Sequence, residues 1–272
     1  DLASQLVDGG MRTVQMIGLP ENKLDISSDV DALVIALKSR TSPVEEAIQN
    51  SLSALDWLQD QDCKRFYFKY CSTFDSTPEG NIGPVAEALM NELGTSFTIA
   101  CPALPANRRT VYLGHLFVDG TLLNESGMEN HPLTPMTDAN LVRVLGRQTR
   151  QDVGLIDKAS VSGGVEAVRQ RIELLQEEGV ALAICDAIEE SDLNVLAEAT
   201  ADLPLVTAGS GLAHGIAKTV SSKQQRSRAP ETPITISGGS AIISGSCSQM
   251  TRAQIEHARQ YYPSFQVDAL AL

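Results

Sequence analysis

The sequence has no long apolar run and no segment with the composition of an export signal. No stretch of its 272 residues approaches the roughly 18 uninterrupted apolar residues that would span a bilayer. The first ten residues, DLASQLVDGG, lack the basic and apolar regions of a signal peptide. We therefore expect a cytoplasmic protein with no membrane partner, and a chain long enough to bury the core of one large domain or two.

A cysteine pattern typical of zinc sites or disulfide frameworks is also missing. The five cysteines are odd in number, far apart and without a CxxC pair; they are Cys63, Cys71, Cys101, Cys185 and Cys247. This spacing favours buried free thiols in a reducing compartment. We predict no metal site built from these residues.

The chain has no excess of basic residues. Its 21 lysines and arginines are outnumbered by 34 aspartates and glutamates, which gives a formal net charge of -13. This charge repels a polyphosphate backbone and argues against nucleic acid as the main partner. An anionic small molecule would need local cations, and Lys38, Arg40, Lys69, Arg108 and Arg109 lie near predicted strand ends. The alternative is that they are scattered, solvated charges.

Short apolar runs alternate with helical periodicity over most of the chain. Residues 31–38 and 65–70 are typical of buried strands, and the segment between them has Ser42 as a predicted N-cap and Pro43 at the first helical position. We predict further strands at 96–101, 110–118, 153–157, 180–187 and 204–208, and helices near 84–93, from Thr137, and at 163–179, 191–202 and 209–220. This alternation predicts an α/β fold in which helices cover a mostly parallel sheet in three layers.

Polar residues gather where the predicted strands end. The richest segment, residues 68–83, is FKYCSTFDSTPEGNIG, which is more polar than a turn needs to satisfy its own backbone. Ligands of open parallel sheets bind beyond the carboxyl ends of the strands. We therefore expect a concave binding site there, with contributions from residues 38–40, 102–109, Asp186 and 209–211.

The segment SSKQQRSRAPETP, residues 221–233, interrupts the alternation because it is polar, lacks apolar periodicity and contains two prolines. We predict a first domain over residues 1–222, a linker over 223–233 and the beginning of a second domain over 234–272. In that last stretch, SGSCS precedes a predicted helix, where small residues let backbone N–H groups approach a phosphate. Because no GxxxxGK[ST] or GxGxxG motif is present, an ordinary turn is the alternative.

Three segments together resemble the four-carbon acid sugar kinase family. They are KYCSTFDSTPEGNIGPVAEALM, CPALPANRRTVYLGHLFVDGTLLNESGMENHPLTPMTDANL and SGSCSQMTRAQI. The run NHPLTPMTDAN after GHLFVDG is the most specific part, and the likeness spans nearly the whole chain. The resemblance implies transfer of the ATP γ-phosphoryl group to the 4-hydroxyl of a four-carbon sugar acid, by an N-terminal acid-binding domain and a C-terminal α/β nucleotide-binding domain. Phosphoryl transfer from ATP implies Mg²⁺ as a second cofactor.

The chain departs from the family pattern in three places. The family opens with a DDxTGA-type acidic motif, so the resemblance implies that the catalytic base lies upstream of Asp1, and we assign no catalytic residue within the chain. It also implies that most of the nucleotide domain lies beyond Leu272. Glu79 stands in DSTPEGN, where many relatives carry an arginine. That difference favours the 3-oxo-tetronate branch of the family, with the threonate and erythronate branch as the alternative.

Substrate-binding roles follow for residues at the strand ends. We expect Lys69 to hold the substrate carboxylate or a transferring oxygen, and Arg40 to bind a carboxylate through two parallel hydrogen bonds. Asp75 and Ser76 would bind substrate hydroxyls, with helix capping as the alternative. Asn81 would shape the turn beside them.

Further candidates are less specific. Arg108 would bind the acid, or instead pair with Asp119 or Glu125. His115 is flanked by apolar residues and would contact substrate or remain a core histidine, whereas Asp186 would orient the substrate. The residues expected at the edge of the ATP site are Ser244, Gly245 and Ser246.

Two classes of function remain open at this point. The first is an ATP-dependent kinase of a four-carbon acid sugar, and the second is a non-catalytic module of the same fold that binds such acids. The expected partners are a sugar acid and ATP, without nucleic acid or membrane. A homo-oligomer is an open alternative to a monomer.

Overall fold

The computed structural model of the chain describes residues 1–224, 238–245 and 249–267. The chain divides into two units, Asp1–Arg228 and Ala229–Leu272. Within the described ranges, no helix is both long enough and apolar enough to cross a membrane.

Strands and helices alternate along the first unit. The strands are β1 (Thr13–Ile17), β2 (Ala32–Ala36), β3 (Phe66–Lys69), β4 (Thr98–Cys101), β5 (Arg109–Tyr112), β6 (His115–Val118), β7 (Thr121–Leu122), β8 (Asp152–Ile156), β9 (Val180–Cys185) and β10 (Leu205–Ala208). The helices are α1 (Leu2–Asp8), α2 (Val44–Asp60), α3 (Ile82–Leu93), α4 (Leu141–Gly146), α5 (Lys158–Ser162), α6 (Val165–Glu177), α7 (Glu190–Ala199) and α8 (Gly211–Gln224). Three short 3-10 turns lie at Pro105–Asn107, Leu123–Glu125 and Met128–Asn130.

The central sheets are parallel. One sheet has five strands in the order β3-β10-β4-β9-β8, and a second pairs β1 with β2; all of these pairings are parallel. Helices cover the sheet in two rows: α1 contacts α8, α8 contacts α7 and α7 contacts α6, while α2 contacts α3 and α3 contacts α4. Both α4 and α6 contact β8 and β9. The predicted α/β fold with a mostly parallel, helix-covered sheet is therefore confirmed.

The core lies around β4, β9 and β10. Every residue of β4 and β10 is buried. Two threonines in these strands satisfy their hydroxyls locally, since Thr98 Oγ1 donates to the Leu205 carbonyl at 2.9 Å and Thr207 Oγ1 donates to the Ile99 carbonyl at 2.7 Å. Because the buried hydroxyls are hydrogen-bonded, the strands carry polar side chains into the core without leaving them unpaired.

The single strand predicted over residues 110–118 is wrong. The structure contains an antiparallel hairpin there, in which Tyr112 of β5 pairs with His115 of β6. Leu113 and Gly114 form the turn with φ values of +49° and +70°, the conformation that a two-residue hairpin turn requires. A third strand, β7, pairs with β6 after a second turn at Asp119 and Gly120, which also have positive φ.

Other element boundaries also differ from the predictions. Pro43, and not Ser42, is the N-cap of α2. The helix predicted from Thr137 begins at Leu141, where the Asn140 side chain accepts a hydrogen bond from the backbone N–H of Arg143. The sequence pattern did not identify β1, although its residues pair with β2 in a regular parallel register.

The described part of the second unit contains one helix, α9 (Gln249–Ala258). The Gly/Ser segment before it is exposed over residues 238–245. Residues 223 and 224 of the predicted linker are the last two residues of α8. The rest of the linker, residues 225–233, and the first residues of the predicted second domain, 234–237, lie outside the described residues. The predicted domain boundaries therefore stay predictions.

Candidate functional site

The structure brings five predicted residues together at the carboxyl end of the parallel sheet. Lys69 is the last residue of β3, Arg40 follows β2, and Asp75 and Ser76 lie in the loop after β3. Asn81 is the N-cap residue of α3. These residues, Arg40, Lys69, Asp75, Ser76 and Asn81, are called the strand-end cluster below.

An ion pair joins two loops of the strand-end cluster. Arg40 Nη1 lies 3.3 Å from Asp75 Oδ2. The Asp75 side chain is nearly buried, with 4% exposed, whereas 52% of the Arg40 side chain is exposed. Thr73 Oγ1 donates to the other Asp75 oxygen. Only Nη1 of Arg40 contacts Asp75, so further guanidinium donors are left for a ligand, and the two-bond contact with a substrate carboxylate stays a prediction.

A local backbone distortion presents the Asp75 carboxylate to Arg40. Phe74 has φ of +54°, a left-handed conformation that is uncommon for a bulky residue. Its ring is fully buried and packs edge-on against Tyr70 with ring centroids 5.2 Å apart. Because the buried ring fixes Phe74, it also fixes the direction in which the chain continues into Asp75.

Asn81 positions the loop that carries Arg40. Its Nδ2 donates to the carbonyl of Ser39 at 2.8 Å and to that of Ser42 at 3.2 Å. Asn81 is 7% exposed, so both bonds are shielded from water. The N-terminus of α3 therefore holds the loop on either side of Arg40 in place.

Lys69 is a partly buried cation. Burial lowers the pKa of its ammonium, and the nearby Arg40 cation lowers it further, while Cys71 and Asp75 act in the opposite direction. Lys69 Nζ lies 3.4 Å from Asp1 Oδ2, and the Asp1 side chain is 74% exposed. A ligand carboxylate at this position would stabilise the charged form of the lysine.

Ser76 is held from two directions. Its backbone N–H donates to Met136 Sδ at 3.3 Å, and its hydroxyl accepts a hydrogen bond from Gln148 Nε2 at 2.8 Å. Gln148 also donates to the Thr77 carbonyl at 2.7 Å and accepts from the Gly83 N–H at 3.0 Å. One buried amide thus ties the loop after β3 to the first turn of α3.

Arg108 is not part of the strand-end cluster's hydrogen-bond network. It lies at the base of the hairpin, where its Nη1 donates to Asp119 Oδ1 at 2.7 Å. This contact raises the pKa of the Arg108 guanidinium. The Arg108 side chain is 77% exposed, so it forms the surface ion pair that was the alternative to substrate binding.

Asp186 is fully buried and anchors the hairpin to the sheet. Its carboxylate accepts the backbone N–H groups of Leu113 at 2.7 Å, Gly114 at 2.9 Å and Lys158 at 2.9 Å. Burial raises the pKa of this carboxyl, and the three N–H donors oppose that shift. With both oxygens hydrogen-bonded to backbone N–H groups, Asp186 stabilises the turn, and its contact with substrate stays a prediction.

His115 faces a cleft whose volume is about 590 Å³. Its Nδ1 lies 2.8 Å from the Leu113 carbonyl, and its Nε2 lies 3.3 Å from Asn140 Nδ2. The orientation of the Asn140 side-chain amide is fixed by Oδ1, which accepts a hydrogen bond from the Arg143 N–H. Nδ2 must then donate, so His115 Nε2 accepts and the proton lies on Nδ1.

The cleft is here called the Arg147 cleft. The residues that line it are His115, Leu122, Asn124, Thr137, Asp138, Ala139, Arg143 and Arg147. A narrower pocket of about 20 Å³ shares Thr137, Asp138 and Arg147 with it and reaches Ser76 and Thr77. The motif NHPLTPMTDAN, residues 130–140, therefore runs between the Arg147 cleft and Ser76.

Asp138 is the acidic residue of the Arg147 cleft. Arg143 binds it through two hydrogen bonds, Nε to Oδ2 at 3.0 Å and Nη2 to Oδ1 at 2.7 Å. The Arg143 hydrogen bond is the largest cause of a lowered Asp138 pKa, and the Asn140 N–H contributes as well. Arg147 Nη2 lies farther away, at 3.6 Å from Asp138 Oδ2.

The predicted ATP-site residues are only partly described. Ser244 and Gly245 are exposed, and a side chain at position 245 would meet no atom within 4 Å. Ser246 lies outside the described residues. The open backbone before α9 fits the approach of a phosphate, and the assignment stays a prediction.

Residue-level reasoning from the sequence missed Gln148, Asp138, Arg143 and Arg147. The motif containing Asp138 was recognised as specific, but it lies in irregular structure, where no periodicity indicates which side chains share a cleft. Gln148 follows α4 in a stretch without any motif. Only the tertiary structure shows that it reaches the loop after β3.

Comparison with known proteins identifies the family. Residues 1–216 match the model of the sugar-binding N-terminal domain. A 3-oxo-tetronate kinase of Pseudomonas fluorescens is 54% identical over the whole chain, and the match covers 64% of that protein. A 3-oxo-tetronate kinase of Escherichia coli K12 is 50% identical over 98% of the chain and 68% of its own length. The chain thus spans about two thirds of the length of these relatives, and slightly less for the first.

Solved structures agree with this match. The Haemophilus influenzae protein HI1011 superposes with a TM-score of 0.83 at 48% identity, covering 98% of the chain and 64% of that protein. A Salmonella typhimurium LT2 protein that carries a tRNA synthase name has a TM-score of 0.86 at 49% identity, with coverages of 99% and 63%. The resemblance found in the sequence motifs is confirmed, and the chain belongs to the sugar-binding N-terminal domain family.

Proposed function

We propose that the chain provides the acid-binding part of an ATP-dependent kinase that phosphorylates the 4-hydroxyl of a four-carbon sugar acid, with 3-oxo-tetronate as the substrate. The observation that carries the proposal is the strand-end cluster, in which two cations and buried hydrogen-bonding groups meet at the carboxyl end of a parallel sheet. The 3-oxo-tetronate kinase name of the relatives supports the choice of substrate.

In this proposal, Lys69 and Arg40 bind the carboxylate of the acid. The net charge of -13 repels an anion at long range, so binding requires local cations. Lys69 now contacts Asp1, whose side chain is largely exposed, and a ligand carboxylate could replace that partner. Arg40 retains donors that its single contact with Asp75 does not use.

Asp75 and Ser76 orient the hydroxyl groups of the acid. Gln148 and Met136 hold Ser76, and Thr73 and Arg40 hold Asp75. Side chains fixed in this way bind substrate without first losing rotamer freedom, which is how phosphoryl-transfer enzymes gain rate through positioning. No group of the described cluster is assigned as the catalytic base.

The nucleotide would supply the phosphoryl group, with Ser244 and Gly245 at one edge of its site. Mg²⁺ enters the proposal through the phosphates of ATP. Across residues 1–224, 238–245 and 249–267, no three His, Cys, Asp or Glu side chains form a group that could hold a metal ion.

A kinase that draws on cellular ATP would act in the cytoplasm.

Glu79 supports the 3-oxo-tetronate branch over the threonate and erythronate branch. Its carboxylate is exposed and accepts a hydrogen bond from Thr77 Oγ1 at 3.2 Å. An arginine at position 79 would add a cation to the loop that carries Ser76 and Asp75. With glutamate at this position, that cation is missing. The strongly negative charge also argues against carrying the tRNA synthase name over to this chain.

A coupled assay of ADP release tests the proposal. The full-length protein, supplied with ATP and Mg²⁺, is expected to release ADP only when a tetronate-type acid is added. The assay would compare 3-oxo-tetronate with erythronate and threonate, and the first is expected to give the highest kcat/KM. If none of the three acids leads to ADP release, the kinase proposal is refuted.

A further inference from the structure

The anionic acceptor of the Arg147 cleft is already hydrogen-bonded within the protein. Both oxygens of Asp138 are occupied by Arg143, with the Asn140 N–H on one of them. His115 Nε2 accepts from Asn140. The charged acceptor and the ring acceptor of the lining are therefore already used by groups of the protein.

The donors that remain point to one class of ligand. Within the part of the chain that the structure describes, Arg147 has no acceptor within hydrogen-bond distance, and its nearest ion-pair partner is Asp138 Oδ2 at 3.6 Å. The Asn124 amide and the Thr137 hydroxyl line the same cleft, and neither forms a side-chain hydrogen bond in the described residues. Surplus N–H and O–H donors around a cation are suited to an oxyanion.

Charge supports the same conclusion. Arg143 and Asp138 form a matched pair with two hydrogen bonds, so they contribute little net charge to the cleft. Arg147 is a second cation beside this one carboxylate, so the cleft keeps a net positive charge, and the Arg147 side chain is 52% exposed. The guanidinium can present two parallel donors to a carboxylate or a phosphate, a geometry that a lysine cannot reproduce.

We propose that the Arg147 cleft is a second oxyanion-binding site, with Arg147 as its main contact and Asn124 and Thr137 as supporting donors. Its volume of about 590 Å³ falls in the range of small-molecule sites. The ligand is a small molecule that carries a carboxylate or a phosphate group. This proposal does not depend on the kinase activity, because the site is defined by residues outside the strand-end cluster.

The test is a titration of the nitrogen-15-labelled full-length protein at constant pH and ionic strength. Sodium phosphate is the probe in one arm, sodium erythronate in a second and sodium chloride in a third. The side-chain amide signal of Asn124 reports on the cleft. We expect a saturable shift with phosphate, erythronate or both, and none with chloride.

Three variants locate the ligand. Arg147→Ala should weaken the binding reported by Asn124 by about tenfold or more, because a charge-assisted hydrogen bond is lost. Arg150→Ala removes a neighbouring exposed arginine that does not line the cleft, and Arg40→Ala alters the strand-end cluster. Both are expected to keep the dissociation constant within about twofold of the parent value.

Several results would overturn the proposal. One is an Asn124 signal that does not saturate with phosphate or erythronate. Another is an Arg147→Ala variant with an unchanged circular dichroism spectrum and a dissociation constant within about twofold of the parent. If Arg40→Ala weakens binding tenfold while Arg147→Ala does not, the anion is held by the strand-end cluster and the second site does not exist.

Discussion

Individual side chains of the site differ in how strongly they are held. Asp138 receives two hydrogen bonds from Arg143 and one from a backbone N–H, and its side chain is 15% exposed. Asp119 pairs with Arg108 through one hydrogen bond, at 66% exposure. Since solvent weakens exposed ion pairs, the two Asp–Arg pairs should contribute differently to stability.

Asp138→Asn is expected to lower the free energy of unfolding by about 1 kcal/mol or more at pH 7, because charged hydrogen bonds are lost. The folded-state pKa of Asp138 lies below its usual value. The stabilisation is therefore complete above the unfolded pKa of about 3.9 and is lost as the pH falls through the folded pKa. Urea unfolding of the parent and the variant measures the free energy of unfolding at pH 7 and at pH 3.

The difference between the parent and Asp138→Asn should shrink at pH 3, because this pH lies below the unfolded pKa of about 3.9 and the unfolded chain then binds the proton. Asp119→Asn is the matched control and is expected to change stability by less than about 0.5 kcal/mol at pH 7. A deficit in Asp138→Asn that is the same at both pH values would show that the ionised pair is not its cause.

Sequence reasoning found the strand-end cluster because its members follow apolar strands, and the carboxyl ends of parallel strands meet at one edge. Arg40, Lys69, Asp75, Ser76 and Asn81 were predicted for this reason. The exact contacts were not predictable. Phe74, directly before Asp75, has a left-handed conformation, which no residue pattern in the segment indicates.

At the scale of elements, the close approach of α3 to the chain after α4 determines how the loop carrying Ser76 is held. A Cβ atom added at Gly83 would lie 2.8 Å from Gln148 Cβ and 2.9 Å from its carbonyl oxygen. The second neighbour is backbone and cannot rotate away. Glycine is therefore required at position 83 for Gln148 to reach Ser76 and Thr77.

Gly83→Ala should destabilise the first unit by about 1 to 3 kcal/mol, the usual cost of overpacking a buried site. Gly146→Ala is the control, since a Cβ atom at this helical position meets nothing within 4 Å. That variant should be neutral or gain up to about 1 kcal/mol, because alanine restricts the unfolded chain. Equal stabilities of the two variants in urea unfolding would contradict the close packing described here.

The alternation of strands and helices along the chain was predictable from the sequence, whereas the hairpin was not. Leu113 and Gly114 form the turn inside TVYLGHLFV, residues 110–118, and because Leu113 is apolar the nine residues have the pattern of one strand. The turn at Asp119 and Gly120 was a usable signal, because Asp-Gly between apolar runs is typical of two-residue hairpin turns. Asp186, buried under the first turn, shows why the hairpin folds back onto the sheet.

At the scale of the whole molecule, the predicted linker at residues 223–233 leads to an expected pattern of proteolysis. Its polar sequence lacks the apolar periodicity of a packed element, and such segments are cut before packed strands. Limited digestion with trypsin should cleave first near Lys223, Arg226 or Arg228. Sequencing of the first fragments checks this, and early cleavage within residues 65–118 would contradict the boundary.

In the proposed function, an acidic protein binds an anionic sugar acid through the cations of the strand-end cluster. Arg40→Ala and Lys69→Ala, made separately in the full-length enzyme, each remove one of these cations. Arg169→Ala is the control, because Arg169 is a half-buried residue of α6 whose Nη2 donates only a long hydrogen bond, at 3.5 Å, to the Glu198 carbonyl. The loss of a charge-assisted hydrogen bond costs about 1.5 to 3 kcal/mol.

The most direct test is the kcat/KM of these variants for 3-oxo-tetronate, measured together with their thermal midpoints. We expect Arg40→Ala and Lys69→Ala to lower kcat/KM by about ten- to a hundredfold with thermal midpoints close to that of the parent, and Arg169→Ala to leave both values unchanged. If both cluster variants keep kcat/KM within about twofold of the parent while remaining folded, Arg40 and Lys69 are solvated surface cations and the proposed acid site is wrong.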